Sequence, residues 1–272
     1  MVPKSTSLDS DLNPDLKQTV PAPDPAVSAS AVVAEEKPAD KIKRLEKSIA
    51  DLEAKTPEEK RTPEDWSNLA EAQHKLLMCY QWENHTEIRE GFEKISRSLE
   101  KIPTETRTFH NWKELANAQF QLATRYSGSS GNPPNLTKAV EWYGKAGSSY
   151  HTMKEMCRKP REKQRFYEAL VKERIAYSSG ASFLASLIPV EKRTEEDWRK
   201  LAIYQEKVGN LYFQDDTEWP QVERWQKEAC TSRGMLPEGK YTAKDWLHLM
   251  EQQSRVGLAC AKQNNWVQAV EW

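Results

Sequence analysis

The stretch PVEKRTEEDWRKLAIYQEKVGNLY, residues 189–212, decides the fold, because three further segments of the chain repeat its plan. In each, a Pro is followed five residues on by a Thr and four residues later by a Trp. The four sets are Pro57-Thr62-Trp66, Pro103-Thr108-Trp112, Pro189-Thr194-Trp198 and Pro237-Thr242-Trp246. Asp65, Asn111, Asp197 or Asp245 precedes the Trp. Leu69, Leu115, Leu201 and Leu249 follow at plus three, and Gln73, Gln119, Gln205 and Gln253 at plus seven. At plus ten stand Leu76, Leu122, Val208 and Val256, and at plus fourteen Tyr80, Tyr126, Tyr212 and Cys260.

These offsets place the repeated residues on one face of a 3.6-residue helix. Thr is a good N-cap, and a short polar side chain three residues later approximates a capping box. The earlier Pro ends the preceding helix, since it lacks an N–H and clashes with the turn before it. Each unit therefore starts a helix whose apolar stripe needs a cover. A second helix supplies it, marked by Phe92, Trp142, Trp225 and Trp272, with Ala139, Val222 and Ala269 three residues before the last three.

The period is 46 residues from Trp66 to Trp112 and 48 from Trp198 to Trp246. Trp112 to Trp198 spans 86 residues, room for two periods. A degenerate unit sits there, with Phe166, Ala169, Glu173 and Ala176, and no clear second helix precedes Pro189. A break in the array's curvature is expected at that point. Trp82 and Trp219 fall outside the pattern and read as turn packing.

Residues 1–38 have a different texture, with six prolines and no aromatic residue. Residues 1–40 hold three Lys against seven Asp and Glu, a charge of -4, so residues 41–272 carry +3. Such a Pro/Ala/Ser-rich acidic segment has too little apolar surface to offset its ordering entropy and reads as a disordered leader. Residues 39–272 form the repeat array, which stops at Trp272 partway through a second helix and so reads as truncated at the C-terminus.

Helix pairs with this Trp, and second-helix strings such as KAVEWYGKA at 138–146, resemble the tetratricopeptide (TPR) and Sel1-like repeats. The period of about 46 residues and the Gln at plus seven depart from that pattern. The fold expected is all-α, a right-handed superhelical array of antiparallel helix hairpins, a TPR-like α-solenoid. The resemblance implies that first helices line a concave groove, with positions one and five after the aromatic pointing into it. They are Ser67 and Glu71, Lys113 and Asn117, Tyr167 and Val171, Arg199 and Ile203, and Leu247 and Glu251. Lys113 with Asn117 resembles the pair by which some TPR domains grip a peptide's C-terminal carboxylate. The candidate partner-binding residues are Lys113, Asn117, Tyr167, Arg174 and Arg199. The repeated Gln, sitting mid-stripe, needs a repeated partner, and backbone of an adjacent turn or helix is the one expected. A row of groove amides reading an extended peptide is the alternative.

The net charge of -1 lacks the basic excess of a nucleic-acid binder. No apolar run is long enough to span a bilayer. Cys79, Cys157, Cys230 and Cys260 show no metal-type spacing and read as reduced residues of a cytoplasmic protein. The five His residues share no metal-ligand spacing, and no phosphate loop, nucleophile elbow or HExxH occurs. No catalytic residue, metal or cofactor is therefore assigned. The expected function is a scaffold binding a peptide or protein in the groove. The alternatives are an N-terminal regulatory or targeting array of a larger enzyme or secreted effector, and self-assembly through stacked ends.

Overall fold

A computed structural model describes residues 37–80, 85–128, 134–216 and 218–272. The acidic leader, except for its last two residues, lies outside the described residues, as does Trp82. Ten α-helices follow one another: α1 (Pro38–Lys55), α2 (Pro63–Leu77), α3 (His85–Glu100), α4 (Phe109–Tyr126), α5 (Leu136–Met156), α6 (Lys163–Leu187), α7 (Glu195–Asp215), α8 (Trp219–Gly234), α9 (Ala243–Lys262) and α10 (Trp266–Glu271). Among the described residues there is no strand.

All four repeated Thr residues are N-caps of full reciprocal capping boxes, on α2, α4, α7 and α9. At α7, the Asp197 N–H donates to Thr194 Oγ1 at 3.2 Å, while Asp197 Oδ2 accepts from the Thr194 N–H at 2.9 Å. Two of the four otherwise unpaired N-terminal donors are satisfied in this way. A short 3-10 turn beginning just after the repeated Pro precedes the first three of these caps.

A further repeated device accompanies the Trp. Five residues before it stands Arg61, Arg107 or Arg193, whose guanidinium lies 4.7, 4.7 and 4.5 Å from the centre of Trp66, Trp112 and Trp198. Each Arg also donates to carbonyls at the end of the preceding helix, as Arg193 does to Ile188 O at 3.0 Å and Ala185 O at 2.6 Å. Arg61 reaches Thr56 O and Glu53 O, and Arg107 reaches Ile102 O and Glu100 O. One side chain thus closes the orphan carbonyls of one helix and stacks on the first core ring of the next. In the fourth unit Tyr241 takes the place, stacking on Trp246 at 4.6 Å and donating to Arg233 O at 2.7 Å.

The repeated Gln forms a structural ladder, but its partner is a serine side chain of the covering helix, not backbone. Ser98 donates to Gln73 Oε1 at 3.0 Å, Ser149 to Gln119 at 2.7 Å, and Ser232 to Gln205 at 2.7 Å. The hydroxyl proton and the amide oxygen satisfy each other inside the hairpin, where an unpaired group would cost about 1–3 kcal/mol, while the amide N–H of Gln119 and of Gln205 donates to Glu100 and Glu228. In the fourth unit Gln253 is only half-buried, and its neighbour Gln252 is the buried amide. Gln119→Ala is expected to lose about 1–3 kcal/mol in urea unfolding. Gln119→Leu combined with Ser149→Ala should recover most of that loss. A double variant as weak as the single would show that the pair is not the unit of stability.

Helices adjacent in the chain pack against one another from α1 to α10, and these are the main contacts between helices. They run antiparallel, as the pairings Asn117 with Tyr150 and Gln119 with Ser149 show for α4 and α5. Side chains also tie several helices to their second neighbours. For α2 and α4 the ties are Asn111 to Ser67 at 2.8 Å and His74 to Glu114 at 2.8 Å. Lys172 to Asn117 joins α6 to α4. Tyr204 to Val140 O and Lys154 to Gln214 join α7 to α5. Arg199 to Asp245 and Gln252 to Glu206 join α9 to α7.

This connectivity explains the irregular third unit. It is the single 25-residue helix α6, with no second helix before α7. Two helices per unit keep the capped Trp helices in one series, so α2 is joined to α4 and α4 to α6. The lone helix shifts the count by one. From there the capped helices α7 and α9 continue the series of α5, which covers α4. At this junction the helices approach closely: a Cβ on Gly180 would stand 2.6 Å from the Tyr204 ring, and one on Gly147 2.6 Å from Tyr177.

Candidate functional site

The residues predicted to line a groove fall into two groups. Several hold helices together. Asn117 Oδ1 accepts from the Tyr150 hydroxyl at 2.9 Å and from Lys172 at 3.5 Å. Burial pushes the Tyr150 phenol well above its ordinary value, so it stays a donor. Arg199 donates to Lys240 O at 2.6 Å and to Asp245 at 3.2 Å, tying α7 to the cap of α9. The Ser67 hydroxyl, at the equivalent place on α2, receives Asn111 from the cap of α4. In these two units position one after the Trp is taken by the next unit's capping box, a neighbour the sequence pattern cannot display. Arg174 lies 4.2 Å over the Tyr212 ring and 3.6 Å from Asp215. Lys113 is half-buried on α4. The five predicted residues are not gathered into one site, since Lys113 and Asn117 adjoin α6 while Arg199 belongs to the α7–α9 contact.

The second group is exposed and apolar. Tyr167, Val171 and Ile175 are 41%, 37% and 44% exposed, one turn apart on α6. Ile203 and Leu247, at predicted groove positions of α7 and α9, are also exposed. Single exposed aliphatic residues are ordinary, whereas three in register on one helix form a continuous strip. Beyond it the same face of α6 carries Ser178, Ser182 and Ser186; Ser178 and Ser186 bond back to their own helix. Tyr167 and Val171 were legible as groove positions. Ile175 was not, because the groove positions implied by the TPR resemblance end at plus five.

Buried polar groups form two clusters. At the first, Glu206 accepts from Arg233 at 2.7 Å, Gln252 at 2.9 Å and His248 at 3.1 Å, uniting α7, α8 and α9. Next to it, Asn210 Oδ1 accepts from Gln226 and Arg255. At the second, Lys154 pairs with Glu173 at 2.9 Å and with Gln214, while His151 meets the other Glu173 oxygen at 2.9 Å. Glu206, His248 and Glu251 bring three ligand-type atoms within 4.8 Å of one another. The Arg233 guanidinium already neutralises Glu206 there, and a dication would have to displace it, so the cluster reads as helix–helix glue.

The His74–Glu114 pair between α2 and α4 borders a cleft of about 130 Å³. The hydrogen bond to Glu114 raises the His74 pKa, and the same bond lowers that of Glu114. A raised imidazole pKa gives stability that is complete below the ordinary value of 6.5 and lost as pH rises through the folded value. A lowered carboxyl pKa gives stability present above 4.5 and lost as pH falls through the folded value. The difference in Tm between wild type and His74→Gln should therefore peak between those two pH values. A difference that is constant from acid to alkaline pH would contradict the pairing.

Cys157, Cys230 and Cys260 are buried and Cys79 is half-buried, all as free thiols. Burial raises Cys157 and Cys260 and pushes Cys230 up to about 11, which suits packing and not nucleophilic chemistry. Trp219 meets Phe213 edge-on at 5.7 Å, closing the turn between α7 and α8 as expected. Among the described residues no helix is long and apolar enough to cross a membrane.

No protein-family model and no curated protein matches the chain. Among solved structures it is similar to BtubC (BKLC) from P. vanneervenii, at 13% identity and a TM-score of 0.32, over 87% of this chain and 88% of that one. It is also similar to a chain from a computational design of self-assembling cyclic protein homooligomers, at 12% identity and a TM-score of 0.42, over 84% and 95%. Both likenesses are to other proteins and neither bears on what this chain does.

Proposed function

We propose that the chain is a protein-interaction scaffold, a TPR-like right-handed superhelical array in the cytoplasm that binds a peptide or protein partner on its exposed helix faces. The observation that supports this reading best is the strip Tyr167, Val171 and Ile175, large apolar residues held in water on a rigid helix. α6 is anchored on three sides, by α4, α5 and α7, so the strip is presented with little entropy left to lose on binding. A helix or extended segment with apolar anchors at matching intervals is the complementary ligand. Free buried thiols and a balanced charge agree with a reducing compartment and a protein partner.

A random-peptide display selection against the folded chain tests the reading. It should return a convergent peptide family whose binding drops at least about tenfold in Val171→Asp, the size of an interface hot-spot loss. No enriched family, or one indifferent to Val171→Asp, would contradict it. Circular dichroism of the variant controls for folding, and the exposed position of Val171 leaves the core untouched.

A further inference from the structure

The apolar strip on α6 starts at the most basic place in the chain. Residues 155–167 read EMCRKPREKQRFY, with Arg158, Lys159, Arg161, Lys163 and Arg165 against Glu155 and Glu162, a charge of +3 in a protein whose total is -1. This segment joins α5 to α6 through a 3-10 turn and opens onto a cleft of about 660 Å³. Cys157, Phe166 and Tyr167 line the cleft with apolar surface, and Arg158, Lys159 and Lys163 line it with positive charge, beside Gln214 and the Glu155 that Arg158 neutralises. Arg158 is paired with Glu155 at 2.6 Å, and Arg165 with Glu162 at 3.7 Å. Among the described residues no carboxylate lies within ion-pairing distance of Lys159, Arg161 or Lys163. Lys163 stands 5.8 Å above the Tyr167 ring, so the charge and the strip are contiguous.

We infer that this cleft and the Tyr167–Val171–Ile175 strip together bind an acidic peptide segment carrying apolar anchors one helical turn apart. The inference rests on the scaffold reading and specifies its partner. The cations attract and orient carboxylates from a distance, while the strip buries the anchors once the segment has docked. The aliphatic part of the strip favours a peptide over a nucleic acid. Val171 and Ile175 offer a base nothing to stack on, whereas single-stranded nucleic acid needs aromatic platforms along its whole track. The peptide also accounts for the position of the basic residues, clustered at one end of the strip where an acidic flank of the ligand would lie.

The test is a fluorescence-anisotropy titration of the full chain with a labelled synthetic peptide bearing Leu at i, i+4 and i+8 and preceded by an Asp/Glu flank. A counterpart with Lys for each acidic residue and a single-stranded oligouridine serve as comparisons. The acidic peptide should bind, with an affinity that falls steeply with added salt. Lys159→Glu with Lys163→Glu, and separately Tyr167→Ala, should each weaken it at least about tenfold. All three residues are exposed, and circular dichroism verifies that the variants fold. Binding of the Lys counterpart with equal strength, tighter binding of oligouridine, or indifference to the double charge reversal would overturn the inference. If display yields a peptide family without acidic flanks, the scaffold reading stands and this inference falls. If display yields no family and the acidic peptide does not bind, both fall.

Discussion

Arg233→Met is expected to lower the stability of the α7–α9 region by about 3–5 kcal/mol, the usual cost of leaving one member of a buried ion pair alone. Arg233 is 2% exposed and reaches Glu206 from α8, while Gln252 and His248 reach the same carboxylate from α9. Without the guanidinium, the Glu206 charge stays buried with one donor fewer. Because helices contact mainly their chain neighbours, the loss should be local. Hydrogen exchange should speed up in α7, α8 and α9 and stay unchanged in α2 and α4. Adding Glu206→Gln should restore much of the stability, since the penalty belongs to the orphaned charge. Uniform loosening of the whole chain would contradict the one-dimensional account, and an unchanged α7–α9 region would remove the pair from the list of stabilising contacts.

Trp198→Ala is expected to cost about 3–5 kcal/mol, whereas Trp246→Ala, at the same repeat position, should cost less than about 1 kcal/mol. Trp198 is buried beneath Arg193, whose guanidinium also closes the end of α6. Removing the ring takes away a core residue and the surface on which that Arg is ordered. Trp246 is 54% exposed and its main neighbour is the stacked Tyr241. Urea unfolding of the two variants provides an internal comparison in which sequence pattern is constant and burial is not. Equal losses would mean that the repeat position, and not the packing, sets the energy.

That comparison shows where the sequence was readable and where it was not. Capping boxes are local: Thr and the polar residue three later belong to one turn, so their bonds follow from spacing alone. The face of each Trp helix was legible for the same reason. The partner of the repeated Gln was not, because Ser98, Ser149 and Ser232 come 25 to 30 residues later and face it only once the hairpin closes. The Arg five residues before the Trp was visible as an alignment, yet its double role appears only when the preceding helix end is placed beside the ring.

The groove residues illustrate a different limit. Positions one and five line a groove only in the regular TPR plan, in which first helices form one face. Here the lone α6 moves the capped helices of the later units into the other series, and Ser67 and Arg199 are occupied by the caps of the next units. The 86 residues between Trp112 and Trp198 mark an irregular unit, but spacing alone does not say which neighbour fills the gap. Tyr167 and Val171 are exposed on α6, the one unit that lacks a second helix of its own. The candidate surface thus lies on the irregular unit.

Hydrogen exchange of the chain, measured with and without a saturating display-selected peptide, tests the central claim most directly. Protection concentrated in residues 157–175, spanning the basic connector and the exposed face of α6, is the predicted result. Protection confined to α1–α3 or α8–α10, with none on α6, would contradict it.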